Sequence, residues 1–343
     1  VKAFSIGFHE QEYSELQYAR AAARRCGVEL YTEVISGNVL DMMPDLVAHY
    51  GEPFGDSSAL ATWYVARLAR PQVPMVLSGD GGDEAFGGYD SYARWMETAP
   101  PTGVVRQLVS ASGTALRPGA GRGRRLPQKG RLPELGEWQK CIVYMNDESR
   151  RMLWRPEYGE LVDQPCELFE GAARRAPTED WLAYAQYMDY QTYLPCDILV
   201  KVDVASMFHG LEVRTPLVDL RVVELAASLP VRQRSRGTLL SRRIGKYVLK
   251  QILAKDFPRS FITRRKGGFA IPRAVWFQPG QPGRRLLEDV LLDPKSRLCN
   301  WFNKDTIHGH IAAHQGRWDN SGVLWLLFVL GLWLNQNSDV SFA

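Results

Sequence analysis

The residues most able to do chemistry stand in one short run, Pro74–Tyr89, P-M-V-L-S-G-D-G-G-D-E-A-F-G-G-Y. Ser78, Gly79, Gly81 and Gly82 can turn tightly and bring bare backbone N–H groups close to a ligand. Asp80, Asp83 and Glu84 stand among them. Three carboxylates facing a phosphate repel it unless a cation lies between, and Mg²⁺ takes carboxylate and phosphate oxygens together. A Mg²⁺-bridged nucleotide or pyrophosphate suits such a loop. The competing reading is a strand-to-helix turn whose acids cap the helix, since Gly and Asp are ordinary turn residues.

Two later blocks also carry charge in apolar company. Leu194–Asp219 places Asp197, Lys201, Asp203, Glu212, Arg214 and Asp219 between Ile, Leu, Val, Met and Phe. Such charges are expected to be partly buried and paired, as a salt-bridge network along an interdomain seam, with Lys201 and Asp203 nearest to function. Ser241–Lys250 and Thr263–Pro272 are basic. Lys246 follows a glycine and precedes apolar residues, so it can point inward and stabilise charge developing in adenylyl or phosphoryl transfer. The alternative is an amphipathic helix with an exposed basic face. His310 and His314 have helical spacing but lack the Glu of a zinc protease motif, and no G-x-S-x-G elbow is present.

These blocks need elements to hold them. Val1–Phe8 reads as a strand. Ser14-x-x-Gln17 reads as a capping box opening a helix that Gly27 stops. Val28–Val34 is the next strand, Asn38–Tyr50 and Ser57–Arg70 are helical, and Asp56 or Ser57 caps the second of these. Met75–Leu77 reads as a buried parallel strand, with a helix starting near Asp83. Strands alternating with helices predict βαβ units and a parallel sheet. Ligands on such sheets sit at the carboxyl ends of strands, where Gly7 and Ser78–Glu84 fall. Residues 1–110 thus form a parallel α/β nucleotide-binding part. Residues 111–136, with Arg117, Arg122, Arg124, Arg125, Lys129 and Arg131, read as a flexible basic loop without the interleaved aromatics of a nucleic-acid site. Residues 137–343 are expected to be mostly helical.

The composition is that of a globular protein, 45% hydrophobic and 23% charged over 343 residues. A net charge of +4 is too small to argue for nucleic acid. Five scattered cysteines predict reduced thiols and a cytoplasmic protein. The apolar run Val323–Leu334 is too short for a bilayer and predicts a core helix, so no membrane partner is expected. Val1 opens directly on a strand, from which a missing N-terminal part is expected.

Taken together, the blocks resemble the glutamine-hydrolysing asparagine synthetase family, in its C-terminal synthetase domain. S-G-D-G-G-D-E with F-G-G-Y, D-I-L-V-K-V-D-V-A-S-M with G-L-E-V-R-T-P-L-V-D, G-K-Y-V-L-K with R-K-G-G-F-A-I-P, G-R-W-D-N-S-G-V-L-W, and E-P-F-G-D-S-S-A all match in order. The resemblance implies a parallel sheet of the ATP-pyrophosphatase (adenine nucleotide alpha hydrolase-like) type. It implies that ATP and Mg²⁺ adenylate the side-chain carboxylate of aspartate or a related acid, and that ammonia then forms the amide. It places Ile6 and Gly7 at the adenosine, and Ser78, Gly79 and Gly81 at the nucleotide. Asp80 takes the acidic position needed for adenylation, Asp83 that of a Mg²⁺ ligand, and Lys246 that of the lysine steadying the intermediate. Glu84, Lys201, Asp203, Glu212 and Arg214 belong to the substrate or a structural network.

The chain departs from the family pattern in three ways. The S-G-G-x-D-S-S pyrophosphate loop has no counterpart in these residues, so impaired activity of a truncated synthetase domain is expected. Nor do these residues match the family's glutaminase domain, which supplies ammonia, so by themselves they are not expected to release ammonia from glutamine. Val204 stands where the family often has Arg, and Asp80 is shorter than the usual Glu, which leaves the acceptor acid open. A non-catalytic scaffold, or an amidotransferase or β-lactam synthetase-like enzyme acting on another acid, are the alternatives. A homodimer is compatible with all of these.

Overall fold

The computed structural model describes residues 1–99, 134–162, 166–238, 241–264, 267, 269–316 and 318–339. The expected basic loop 111–136 lies outside them, save its last three residues.

Strand β1 (Lys2–Phe8), helix α1 (Leu16–Cys26) and strand β2 (Glu29–Ile35) form the expected βαβ unit. β1 and β2 are parallel, from Lys2 opposite Glu29 to Phe8 opposite Ile35. Gly27 ends α1 in the left-handed region at φ 64°, its N–H bonded to the Ala23 carbonyl. The expected capping box is not used: Glu15 precedes the first turn and no side chain caps it. Gly7 is where α1 closes on β1, since a Cβ there would meet Leu16 Cδ1 at 2.4 Å.

A 3₁₀ turn (Gly37–Met42) leads into α2 (Met43–Tyr50), and α3 spans Ser58–Ala69. Asp56 accepts from the Ser58 backbone N–H at 2.8 Å, so it supplies the cap of α3.

Strand β3 (Met75–Leu77) departs from expectation. It pairs in parallel with β4 (Glu212–Arg214), far along the chain, and among the described residues with no other strand. Nor is it fully buried: Met75 and Val76 are half-buried and Leu77 is 67% exposed. Its register sets Met75 opposite Glu212 and Leu77 opposite Arg214, and the Ser78 N–H extends the ladder to the Arg214 carbonyl at 2.9 Å. The two parallel pairs share α3 as backing, because Ala66 and Ala69 pack with Phe4, Val76 and Val213.

Beyond residue 134 the described chain is mainly helical, as expected, but it adds β4 and an antiparallel hairpin of β5 (Ser235–Thr238) and β6 (Ser241–Gly245). Val323–Leu334 lies inside the last helix, Ser321–Gln336, whose Leu324, Phe328 and Leu334 are wholly buried in the largest core cluster. Among the described residues no helix is long and apolar enough to cross a membrane.

Candidate active site

The loop after β3 runs directly into α4 (Gly82–Phe86), as expected. Gly81 caps it at φ 83°, a conformation that suits glycine, and a Cβ there would meet Val218 Cγ2 at 2.4 Å. A Cβ on Gly82 would meet Leu217 at 2.7 Å. The T-P-L-V segment after β4 is thus wedged against the loop, which is how the first two chemical blocks come together. The space beside Gly79 is open: no heavy atom of the described residues lies within 4 Å of where its Cβ would stand.

The three acids go to different places. The Ser78 hydroxyl donates to Asp80 Oδ2 at 2.7 Å, which holds that half-buried carboxylate over the turn. Asp83 Oδ2 meets Lys246 Nζ at 2.9 Å. Glu84 turns inward. It is only 1% exposed and accepts from the Tyr89 hydroxyl at 2.6 Å. Burial pushes the Glu84 carboxyl above the ordinary range, and its Oε2 has no hydrogen-bond partner among the described residues. The expectation that all three carboxylates stand together at the turn is therefore corrected: Glu84 is turned away, and only Asp80 and Asp83 remain beside it.

Lys246 does point inward. It is not on a basic helix face but just before the helix Tyr247–Leu253, at φ 53°, the one positive φ of a non-glycine among the described residues. Two contacts deliver it. Its N–H bonds the Phe86 carbonyl at 2.9 Å. Gly245 lies so close to the F-G-G segment that a Cβ would sit 2.2 Å from the Gly87 carbonyl oxygen. A Cβ on Gly88 would sit 1.9 Å from Asp83 Oδ1 and 2.5 Å from Lys246 Cε. Glycines on both strands of this contact leave room for the ion pair.

A second polar group lies beyond Tyr89, whose ring is 5.8 Å from that of Tyr193. Lys201 Nζ meets Asp56 Oδ2 at 2.9 Å in the interior. Burial opposes the Asp56 charge, but Lys201 and the bonds from Ser58 outweigh it and hold the carboxyl below its usual range. Asp197, on a single π-helical turn (Leu194–Ile198), is pushed up by burial first and by the Asp56 charge second. The rest of that charged block is not a buried network. Glu212 and Arg214 pair with each other on the surface, Asp219 pairs with Arg221 there, and Asp203 is exposed.

Ile6 is a buried core side chain at the end of β1. Arg273, not singled out by spacing, links two more blocks: it donates to the Ser57 hydroxyl at 2.6 Å and to that of Ser321 at 3.4 Å. Gln186 and Arg234 also escaped the sequence reading. Their only signal was a polar residue inside an apolar helix and an arginine inside a basic run.

The asparagine synthase family model matches residues 1–335. The chain belongs to the asparagine synthase family. It is 26% identical over 98% of its length to asparagine synthetase [glutamine-hydrolyzing] 1 of Bacillus subtilis, covering 52% of that protein. It is 29% identical over 96% of its length to a putative asparagine synthetase [glutamine-hydrolyzing] of Mycobacterium tuberculosis, covering 50% of it. It is 23% identical over 85% of its length to the amidase chyE of Penicillium rubens, covering 46%. The chain thus spans about half the length of the curated relatives it matches.

Proposed function

We propose that this chain carries the synthetase chemistry of its family: ATP-dependent amide formation on the carboxylate of aspartate or a related acid. The observation that carries the reading is the Asp83–Lys246 pair beside the open Ser78–Gly82 loop, at the carboxyl end of a parallel strand. In this reading the sheet is of the ATP-pyrophosphatase type. The backbone of Ser78, Gly79 and Gly81 receives the phosphates, and the end of β1 at Ile6 and Gly7 borders the adenosine.

Asp80 and Asp83 fit Mg²⁺, which binds through one or two carboxylates together with substrate phosphates. When bound, the ion supplies positive charge between carboxylates and phosphates. The chain's own residues do the rest. A carboxylate oxygen of the acid attacks the α-phosphorus and pyrophosphate leaves. Lys246, shifting from Asp83 to the phosphates, stabilises the charge that builds there. Ammonia then attacks the acyl carbon and AMP leaves. In this reading Asp80 orients the acid, and its short side chain favours an acceptor that approaches closely.

These 343 residues hold no S-G-G-x-D-S-S loop, so on their own they should bind ATP weakly. The test is made in a chain of the relatives' full length. Asp83→Asn should lower acid-dependent pyrophosphate release by about 10²-fold or more while glutamine hydrolysis stays near its starting rate. Equal loss of both activities would assign Asp83 to folding instead.

A further inference from the structure

Asp83 and Lys246 come from segments far apart in the chain, so something must set their separation. The backbone contact of Gly245 with Gly87 and Gly88 is one constraint. A second runs through the interior. Gln186, on the helix Trp181–Gln191, is 4% exposed and reaches the C-terminal end of α4. Its Nε2 donates to the Glu84 carbonyl at 2.5 Å and to the Ala85 carbonyl at 3.0 Å. The last carbonyls of a helix lack intrahelical donors, and in a five-residue helix they make up most of its acceptors. Gln186 therefore holds the turn that carries Asp83.

The other end of the amide is also held. Gln186 Oε1 accepts from Arg234 Nη1. Arg234 is 6% exposed, has no ion pair among the described residues, and burial holds its pKa below the usual arginine value. With no carboxylate in contact among the described residues and only the charges of Asp180 and Tyr190 opposing the effect of burial, a buried guanidinium is costly, so its place calls for a reason. The register supplies one. Arg234 immediately precedes Ser235, which pairs with Gly245, and Gly245 immediately precedes Lys246. Through its backbone Arg234 thus leads into the same end of the hairpin that presents the lysine, while its guanidinium is held by Gln186.

We propose that Gln186 and Arg234 are positioning residues that join the Asp83 helix to the Lys246 hairpin and set the separation of that pair. This rests on the reading of Asp83 and Lys246 as the reactive pair. Neither residue touches substrate. Both act through the backbone of the elements they tie.

The experiment measures acylation of individual lysines of the chain by a limiting amount of acetic anhydride, read by mass spectrometry. Exposed Lys255 reports reagent, and buried Lys201 reports global opening. In Gln186→Met the Lys246-to-Lys255 ratio should rise by about tenfold, the scale of one charge-assisted hydrogen bond, with Lys201 unchanged. The same substitution in an Asp83→Asn background should add little. Should Gln186→Met fail to fold, Arg234→Lys, which keeps the cation but not the reach, is read the same way. An unchanged Lys246 ratio, or a rise matched by Lys201, would overturn the proposal. No nucleotide or acid enters the measurement, so its outcome is separate from that of the pyrophosphate assay.

Discussion

Asp56–Lys201 and Asp83–Lys246 are both aspartate–lysine pairs with a 2.9 Å contact, yet their surroundings are opposite. The first is interior, with side chains 18% and 7% exposed, and its aspartate is tied further by Ser58. The second is half-open, at 21% and 31%, with its lysine in a left-handed conformation and glycines around it. A buried pair is hard to break because either charge left alone is uncompensated. A half-open pair exchanges partners more readily, as the proposed movement of Lys246 from a carboxylate to a phosphate would require. Distance alone would rank the two as equals. Under the proposed function, burial and backbone strain are what separate a structural pair from a reactive one.

The largest test of this contrast is Lys201→Met. Leaving Asp56 unpaired in the interior should cost about 3–5 kcal/mol of stability, measured by urea unfolding. A loss below about 1 kcal/mol would place the pair with ordinary surface salt bridges.

The next effect is in pH. Asp197 beside the first pair is raised to about 8, by burial and then by Asp56. The folded chain therefore holds a proton that the unfolded chain releases above about pH 4. Stability should fall as pH rises through the window from about 4 to about 8, by up to about 1.4 kcal/mol per pH unit. Asp189, raised to about 7 by burial, contributes with the same sign. Asp197→Asn should reduce the slope without abolishing it. A slope unchanged by that substitution would mean the proton is held elsewhere.

The smallest effect concerns the second pair's backbone. Lys246→Gly should be more stable than Lys246→Ala by about 1 kcal/mol, because only glycine occupies φ 53° without strain. Both variants should lose the synthetase rate together. Equal unfolding midpoints for the two would show that the backbone at 246 is relaxed.

Much of the α/β beginning was legible because its signals are local. The apolar run of β1, Gly27 at the end of α1 and the glycine-rich turn into α4 each act over a few residues. The capping box failed because the chain from Glu10 to Ser14 folds as turns and leaves Glu15, not Ser14, before the helix. The strand β4 was missed because three residues carry no periodicity of their own.

By itself the sequence determined which residues could do chemistry: the acids at 80, 83 and 84, and Lys246 after its glycine. Side-chain type and local turn chemistry are properties of neighbours along the chain. Only the tertiary structure decided which of those acids stay at the site. Glu84 is one residue from Asp83, but one step along a helix turns a side chain by about 100°. That step sends Glu84 to Tyr89 in the interior and Asp83 to Lys246. The partnership of β3 with β4, and of Gln186 with Arg234, was likewise decided by packing between distant segments, which no local pattern records.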